Sequence, residues 1–285
     1  HVHVVSGDRA RYKVLPDAPD WPVTEIDGLV RDMDALGIDR ALLVQTFFTY
    51  GTDNLYMIDS AARYPGRFQT VAVIDQLAKN APDVLTELVT KHGVAGLRFM
   101  PKGHAEGVLC HPQTLPVWQR AGELGIPITI AAELPHLAGM PAMVERFPQV
   151  KVAFEHMWAL ELDPPDFKSI QPIFALAKFP NAYLKLCPNN SHAIRAAKTT
   201  ARAFFGPLID AFGIKRMMFG SNYPAHTHRF GNLAARLTIM QEDFAGFGDE
   251  ERCWFFAETA LSLWPSHSVV SVLPSAESFP RIRFG

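Results

Sequence analysis

Cysteine is scarce in this sequence. Cys110, Cys187 and Cys253 are the three cysteines among 285 residues, and they lie far apart along the chain. An odd number with wide spacing argues against a disulfide framework and against a thiolate metal site. So few cysteines are typical of a reducing compartment, and we expect the protein to be cytoplasmic.

Long apolar runs and a strong charge bias are also missing. No stretch approaches the ~20 consecutive apolar residues that cross a membrane. The formal net charge is −2, which gives no indication of a nucleic acid or a membrane surface as partner. No signal peptide is recognisable, and because the sequence opens on His1 instead of methionine we expect further residues upstream.

What the sequence does contain is an alternation of short apolar runs with longer segments of helical period. The runs are strand candidates, eight in number, each followed by a helix candidate: 1–5, 40–46, 68–74, 94–100, 126–133, 150–156, 182–187 and 215–221. They are almost continuously apolar, as expected for strands covered on both faces. This order predicts a single α/β domain, a closed (β/α)8 TIM barrel over residues 1–265. We expect residues 266–285 to form a C-terminal extension that packs on the barrel or on a neighbouring subunit.

Polar residues gather at the predicted strand ends, where the active sites of such barrels lie. His1 and His3 are two residues apart on the first run, so their side chains leave the same face. His156 ends the sixth run and Asn222 ends the eighth. A single histidine at a strand end is usually structural, but the first and eighth strands of a closed barrel are neighbours. Convergence of these side chains at one mouth therefore favours a functional site.

These same residues carry a resemblance to a known family. His1-Val2-His3, "FEH" at 154–156 and "FGSNYP" at 219–224 resemble motifs of the amidohydrolase superfamily, in the branch related to 2-pyrone-4,6-dicarboxylate lactonase and the sugar-acid lactonases. The resemblance covers the whole chain in element order and implies a TIM barrel. It also implies that histidines act with an eighth-strand aspartate. Many members hold a divalent metal in this way, whereas the lactonase branch is described as working without one.

Asn222 stands where the family pattern commonly has aspartate. A carboxamide is a poor base, and its oxygen is a neutral, weak ligand. We therefore expect no cofactor, with a single Zn²⁺ or other divalent metal on His1, His3 and His156 as the alternative. The asparagine is either natural or an engineered replacement for aspartate. The sequence leaves both readings open and we favour the first.

Another group must then move the proton during catalysis. Candidates are His156, Glu133 at the end of the fifth run, and His226 or His228 in the loop after the eighth. A histidine suits base catalysis at neutral pH because its ordinary pKa is near ~6.5. A solvated loop carboxylate is an equally good interpretation of Glu133.

Basic and polar residues near the strand ends indicate an acidic substrate. Arg98 ends the fourth run and could form paired hydrogen bonds with a carboxylate. Weaker substrate-binding candidates are Arg9, Arg11, Tyr12, Lys185, Asn189, His226 and His228, with Trp158 as an apolar wall. They are weaker because exposed polar residues in loops are commonplace.

Three functions remain open. We favour a hydrolase that opens a small acidic cyclic ester, a lactone or pyrone, by water attack on a carbonyl polarised by the histidines and Arg98. A Zn-dependent decarboxylase or C–C hydrolase of an aromatic or related carboxylic acid would use the same scaffold. A non-catalytic binder of a small acid is the third. Analogy with the family leaves a homo-oligomer open as well.

Overall fold

The strands of this protein form one parallel sheet in chain order. The structure, a computed structural model, describes residues 1–101, 107–157 and 160–265. Within these residues the sheet has seven strands, each hydrogen-bonded to the next. They are β1 (Ala41–Val44), β2 (Phe68–Ala72), β3 (Gly96–Phe99), β4 (Ile128–Ile130), β5 (Val152–Glu155), β6 (Ala182–Leu186) and β7 (Met217–Phe219). The predicted parallel α/β fold is confirmed.

The first predicted strand differs from the expectation. Residues 1–5 are not a regular strand. Instead, Val2 makes isolated parallel bridges to Leu43 on one side and to Tyr223 on the other. The N-terminal segment therefore lies between β1 and the chain that follows β7. The predicted C-terminal extension, 266–285, lies outside the described residues.

Helices connect the strands and cover the outer face of the sheet. They are α1 (Ile26–Ala35), α2 (Phe47–Tyr50), α3 (Leu55–Ala62), α4 (Ala81–His92), α5 (Leu115–Leu124), α6 (Met140–Arg146), α7 (Gln171–Phe174), α8 (Pro188–Ala196), α9 (Ala201–Phe212), α10 (Thr227–Phe230), α11 (Leu233–Phe244), α12 (Asp249–Cys253) and α13 (Thr259–Leu263). Gly93 and Gly125 end α4 and α5 with φ of +66° and +67°, a left-handed backbone that glycine adopts without a Cβ clash. Among the helices described, none has the length and apolarity needed to cross a membrane.

The two faces of the sheet bury different residues. The outer face packs apolar side chains such as Phe99 and Val152 against the helices. The inner face holds a smaller apolar cluster that includes Val44, Met218 and Trp264. Side chains alternate along a strand, so the pairings Arg98↔Thr129↔Ala153 and Glu155↔Lys185↔Met218 put Arg98, Glu155 and Lys185 on this inner face. Charged residues therefore share the interior with the smaller cluster.

Trp264, directly after α13, supports that interior. It is 5% exposed, and the Lys185 Nζ lies 5.1 Å from its ring centroid. We expect Trp264→Ala to lower the free energy of unfolding by about 3–5 kcal/mol, because a large buried side chain is removed. Leu261→Ala, at a position that is 38% exposed, is the control and should cost no more than about 0.5 kcal/mol. Urea denaturation measures both, and equal losses would contradict a supporting role for Trp264.

Candidate active site

A cavity of about 850 Å³ opens at the carboxyl ends of the strands. This is the end of a parallel sheet at which α/β enzymes place their sites. Residues from most of the strand-to-helix loops line it: His3, Pro19, Trp21, Phe47, Phe48, Arg98, Pro101, Ala132, Glu133, His136, Met157, Leu160, Glu161, Asn189, His192, Ala193, Asn222, Ala225, His226 and Arg229. His3, Arg98 and Asn222 are buried and belong to its floor.

His3 is held in one protonation state by its surroundings. Its Nδ1 lies 2.8 Å from the Val44 carbonyl oxygen, which can only accept, so Nδ1 carries the hydrogen. Burial, and after it the positive charge of Arg98, lowers the pKa of His3 to about 3. The ring is therefore neutral at neutral pH, and its Nε2 carries a lone pair. That Nε2 lies 3.1 Å from the His1 Nε2 and 3.1 Å from the Asn222 Oδ1.

Glu155, the last residue of β5, forms ion pairs with two buried basic side chains, Arg98 and Lys185. Its Oε1 lies 2.7 Å from the Lys185 Nζ and 3.5 Å from the His1 Nδ1. Its Oε2 lies 2.8 Å from the Arg98 Nε. Burial alone would raise the pKa of the Glu155 carboxyl, but the charges of Arg98 and Lys185 outweigh burial and hold that pKa far below its usual range. Glu155 is therefore a carboxylate between two cations.

His156 follows Glu155 and turns sharply out of the strand. Its φ is +66° and that of Met157 is +44°, a left-handed backbone that is uncommon for residues with a Cβ and recurs at functional sites. The Asn190 Nδ2 donates to the His156 carbonyl oxygen at 3.1 Å and fixes the turn.

The His156 ring is buried and close to the other histidines. Its centroid lies 4.7 Å from that of His1, and burial lowers the His156 pKa well below its ordinary value. Within the described residues, neither ring nitrogen has a hydrogen-bond partner. A buried polar group without a partner is rare unless a ligand or water completes it.

Asn222 joins the site through an unusual backbone. Its φ of +53° is a conformation in which asparagine and aspartate are enriched. Its backbone N–H donates to the His1 carbonyl oxygen at 3.0 Å. The buried Arg236 guanidinium donates to the carbonyl oxygens of Ser221 and Asn222 at 3.1 and 3.0 Å. Arg236, which the sequence did not single out, therefore fixes the loop after β7.

The donor atoms of this site fit a divalent cation. The Nε2 atoms of His1 and His3 lie 3.1 Å apart, and the Asn222 Oδ1 lies 3.1 Å from the His3 Nε2. The remaining nitrogen of each of these two rings faces an acceptor, the Glu155 carboxylate or the Val44 carbonyl, as the rings of metal-ligating histidines usually do. His156 offers a further nitrogen within 4.8 Å of the nearest His1 and Glu155 donor atoms.

The structure brings some of the predicted substrate-binding residues to the cavity. Arg98, Asn189 and His226 line it, and so does Glu133, the predicted candidate for proton transfer. The Arg98 Nε, however, is paired with Glu155 inside the protein. Trp158, the predicted apolar wall, lies outside the described residues.

Other predicted substrate-binding residues lie elsewhere. Arg11 forms an ion pair with Asp59 at 2.6 Å, and the Tyr12 hydroxyl donates to the same carboxylate at 2.8 Å. Lys185 belongs to β6 and not to a loop, and its ammonium is buried against Glu155. Each of these three side chains contacts a carboxylate and lies outside the described cavity lining, and their role in substrate binding stays a prediction. Arg9 and His228 are exposed and are not part of the lining described above.

Several lining residues were missed by sequence reasoning. The Trp21 ring lies 5.6 Å from that of His3 and 6.4 Å from that of Phe48, so Trp21 forms an aromatic wall beside the histidines. His136, His192 and Arg229 add polar groups around the mouth: the last two are exposed and His136 is partly exposed. They lie in irregular or short helical segments, where no periodic pattern marks the cavity side.

The buried histidines His3 and His156 thus lie near the carboxyl ends of the parallel strands. A family model described as Amidohydrolase matches residues 1–265, and the chain belongs to this amidohydrolase family. Membership indicates an enzyme with hydrolase-type activity. Comparison with curated proteins gives no match.

Solved structures share the fold at low sequence identity. A probable 2-pyrone-4,6-dicarboxylic acid hydrolase from Acinetobacter baumannii with citric acid bound has a TM-score of 0.76 and 17% identity, over 93% of this chain and 97% of that chain. A protein from Pseudomonas putida, also described as a 2-pyrone-4,6-dicarboxylic acid hydrolase, has a TM-score of 0.74 and 21% identity, over 93% of this chain and 95% of that chain. A 5-carboxyvanillate decarboxylase from Novosphingobium aromaticivorans with bound manganese has a TM-score of 0.61 and 16% identity, over 85% of this chain and 82% of that chain.

The lowered pKa of His3 predicts how stability depends on pH. Between the unfolded pKa near 6.5 and the folded pKa of about 3, only the unfolded state binds the proton. The free energy of unfolding should therefore fall as pH decreases through this window, by up to about 1.4 kcal/mol per pH unit for this group. His156 acts in the same direction.

Denaturant unfolding of the chelator-treated protein between pH 7 and pH 4 tests this dependence. His3→Gln should remove about one proton from the slope. His92→Gln, at an exposed position, is the control and should leave the slope as it is. If His3→Gln and the native protein have the same slope, the neutral buried state of His3 is refuted.

Proposed function

We propose that this enzyme hydrolyses a small acidic cyclic ester, a lactone or a pyrone. The observation that carries the proposal is the buried His156 ring, which has no partner for either nitrogen in the described residues and lies beside His1 and His3. Family membership supports hydrolysis. Two proteins of similar fold are described as pyrone dicarboxylic acid hydrolases, and one of them holds citric acid, itself a carboxylic acid.

Ring opening by water requires that negative charge on the carbonyl oxygen be stabilised. The buried floor favours such charge. Arg98 and Lys185 are cationic, Glu155 is anionic, and His3, His156 and Asn222 are neutral, which leaves one net positive charge. A neutral His156 can donate an N–H to the carbonyl oxygen, and the field of Arg98 acts on the same oxygen.

The attacking water must lose a proton, and Asn222 cannot take it. Of the predicted acceptors, His156 is buried beside His1 and is not among the residues of the described cavity lining, while His226 and Glu133 line the cavity and are exposed. Burial lowers the pKa of His226 below its ordinary value, so this ring is also neutral and able to accept. We do not propose His228 as the proton acceptor, because it is not part of the described cavity lining.

A second function, decarboxylation or C–C hydrolysis of an aromatic acid, is favoured by the close approach of the His1 and His3 Nε2 atoms, which lie 3.1 Å apart, and of the Asn222 Oδ1, 3.1 Å from the His3 Nε2. A decarboxylase of similar fold holds manganese. His1, His3 and His156 would hold a divalent ion here, and the ion would polarise a substrate oxygen or lower the pKa of a bound water. Trp21 and Phe48 offer an aromatic wall to either kind of ring-shaped substrate.

The proposal extends to the shape of the fold. Val2 bridges β1 on one side and Tyr223 on the other. These bridges support a closed (β/α)8 barrel in which residues 1–5 take the position of the eighth strand. A cytoplasmic location and a homo-oligomer stay predictions from the sequence.

Replacement of His156 tests the catalytic assignment. We expect His156→Ala to lower lactone turnover by about 10²- to 10⁴-fold, the usual contribution of a positioned acid–base group. His92→Gln, at an exposed position at the end of α4, is the control and should keep native turnover. The assay is ring opening across a panel of carboxylated lactones and pyrones, with circular dichroism to verify folding. Native turnover in a folded His156→Ala protein would eliminate the assignment.

Metal removal separates the two functions. For a metal-independent lactonase we expect native turnover after exhaustive chelation, with metal content measured by elemental analysis. Release of CO₂ from aromatic acids is assayed in parallel. Stoichiometric metal whose removal abolishes activity would favour the decarboxylase or C–C hydrolase instead.

A further inference from the structure

We infer that Trp21 is a specificity-determining residue, whose indole gives the cavity a preference for a flat, unsaturated ring over a puckered, saturated one. That such a ring is hydrolysed rests on the proposed function. The preference in binding does not rest on it, and it can be measured without turnover.

The first argument is the place of the indole in the cavity. Trp21 lines the cavity and is partly exposed, so part of its ring system borders the space that a substrate would fill. The His3 ring centroid lies 5.6 Å away and the Phe48 centroid 6.4 Å away, at interplanar angles of 50° and 48°. Neither of these two rings is stacked face to face on the indole. The indole therefore stands next to His3, at the buried floor of the site.

The second argument is that short backbone connections fix the indole relative to His3. Val5 and Thr24 form an antiparallel bridge, in which their backbone N–H groups donate to each other's carbonyl oxygens at 3.1 and 2.8 Å. Val5 lies two residues after His3, and Thr24 lies three residues after Trp21. Pro22 restricts the Trp21 backbone further, because the residue before a proline is biased towards extended conformations. Trp21 is therefore held near His3 before any ligand binds.

The loop that leads into α1 and carries this indole is also fastened to the rest of the protein. The Gly7 N–H donates to the Glu25 Oε1 at 2.6 Å, and the Tyr56 hydroxyl donates to the other oxygen of the same carboxylate. Further along the loop, the Leu15 N–H donates to the Thr49 carbonyl oxygen at 2.8 Å. Because a wall that is already ordered loses little conformational entropy on binding, its contacts with a ligand translate into affinity.

The third argument is the composition of the cavity sides. Phe47 and Phe48 form a T-shaped pair with centroids 5.7 Å apart and continue the aromatic side that Trp21 begins. Met157 and Leu160 add apolar surface from the loop after β5. Aromatic rings attract one another in offset-stacked and edge-to-face arrangements by more than the area they bury. A flat, conjugated ring can lie against such a wall with its whole face in contact, whereas a puckered ring touches it with only some of its atoms.

The test measures the binding of two probes that carry the same pair of carboxylates. Isophthalate (benzene-1,3-dicarboxylate) is flat, and cis-cyclohexane-1,3-dicarboxylate is its puckered, saturated counterpart. Neither probe has an ester to hydrolyse. Isothermal titration calorimetry gives both affinities for the native protein, for Trp21→Leu and for Trp21→Phe. Trp254→Leu is the matched control, because Trp254 is partly exposed and lies outside the described cavity lining.

We expect the native protein and Trp254→Leu to bind the flat probe about 2- to 10-fold more tightly than the puckered one, the range that aromatic pairing adds to area burial. In Trp21→Leu this ratio of affinities should fall to about one, and Trp21→Phe should restore most of it. A side chain that served only to hold the loop in place would lower both affinities together and leave their ratio as it is.

A native protein that binds the two probes equally, or binds neither, refutes the inference, and so does a Trp21→Leu protein that keeps the native ratio. Turnover provides the link to the proposed function. On lactones with the same acid group, Trp21→Leu should raise KM for the unsaturated ring and leave kcat nearly unchanged. A ratio that is lost in Trp21→Leu, in a protein that opens no lactone, would instead refute the proposed function and leave the role of Trp21 intact.

Discussion

The buried carboxylate of Glu155, held between Arg98 and Lys185, is the interaction on which the rest of the site depends. Removing a charged group from water costs several kcal/mol even after relaxation, and here three charges are buried together at 2.7 and 2.8 Å. The pairing offsets the cost only while the Glu155 carboxylate is present, because it is the one anion that contacts both cations. Strand register makes it possible, because Arg98 pairs with Thr129 on β4, and the short Thr129 side chain lets the guanidinium reach β5.

The charge balance of this cluster gives a physical reason for the amide at position 222. With one net positive charge already buried, a neutral Asn222 leaves the floor of the cavity favourable to an anion. An aspartate at the same place would cancel that charge. The left-handed backbone of Asn222 accepts either residue, so the fold itself does not demand the amide. The choice between amide and carboxylate concerns the chemistry of the site.

The three histidines of the site differ in what surrounds them. His3 and His1 each have one nitrogen turned to an internal acceptor, and their other nitrogens face each other. His156 has no such partner in the described part of the chain and lies at a strained turn that Asn190 holds in place. His1 and His3 therefore form a fixed pair, whereas both ring nitrogens of His156 are without a hydrogen-bond partner in the described residues.

The sequence by itself determined the parallel α/β fold, and it indicated that His1, His3, His156 and Asn222 would meet. The spacing of apolar residues indicates which segments are buried, and the polar residues after them indicate where each strand stops. Parallel strands then bring their carboxyl ends to one edge of the sheet. Only the tertiary structure decided which charges pair. Lys185 turned inward to Glu155, Arg11 and Tyr12 turned to Asp59, and Trp21 reached the cavity. These contacts join residues that are distant in sequence, and they depend on strand register and loop path, which local patterns do not encode.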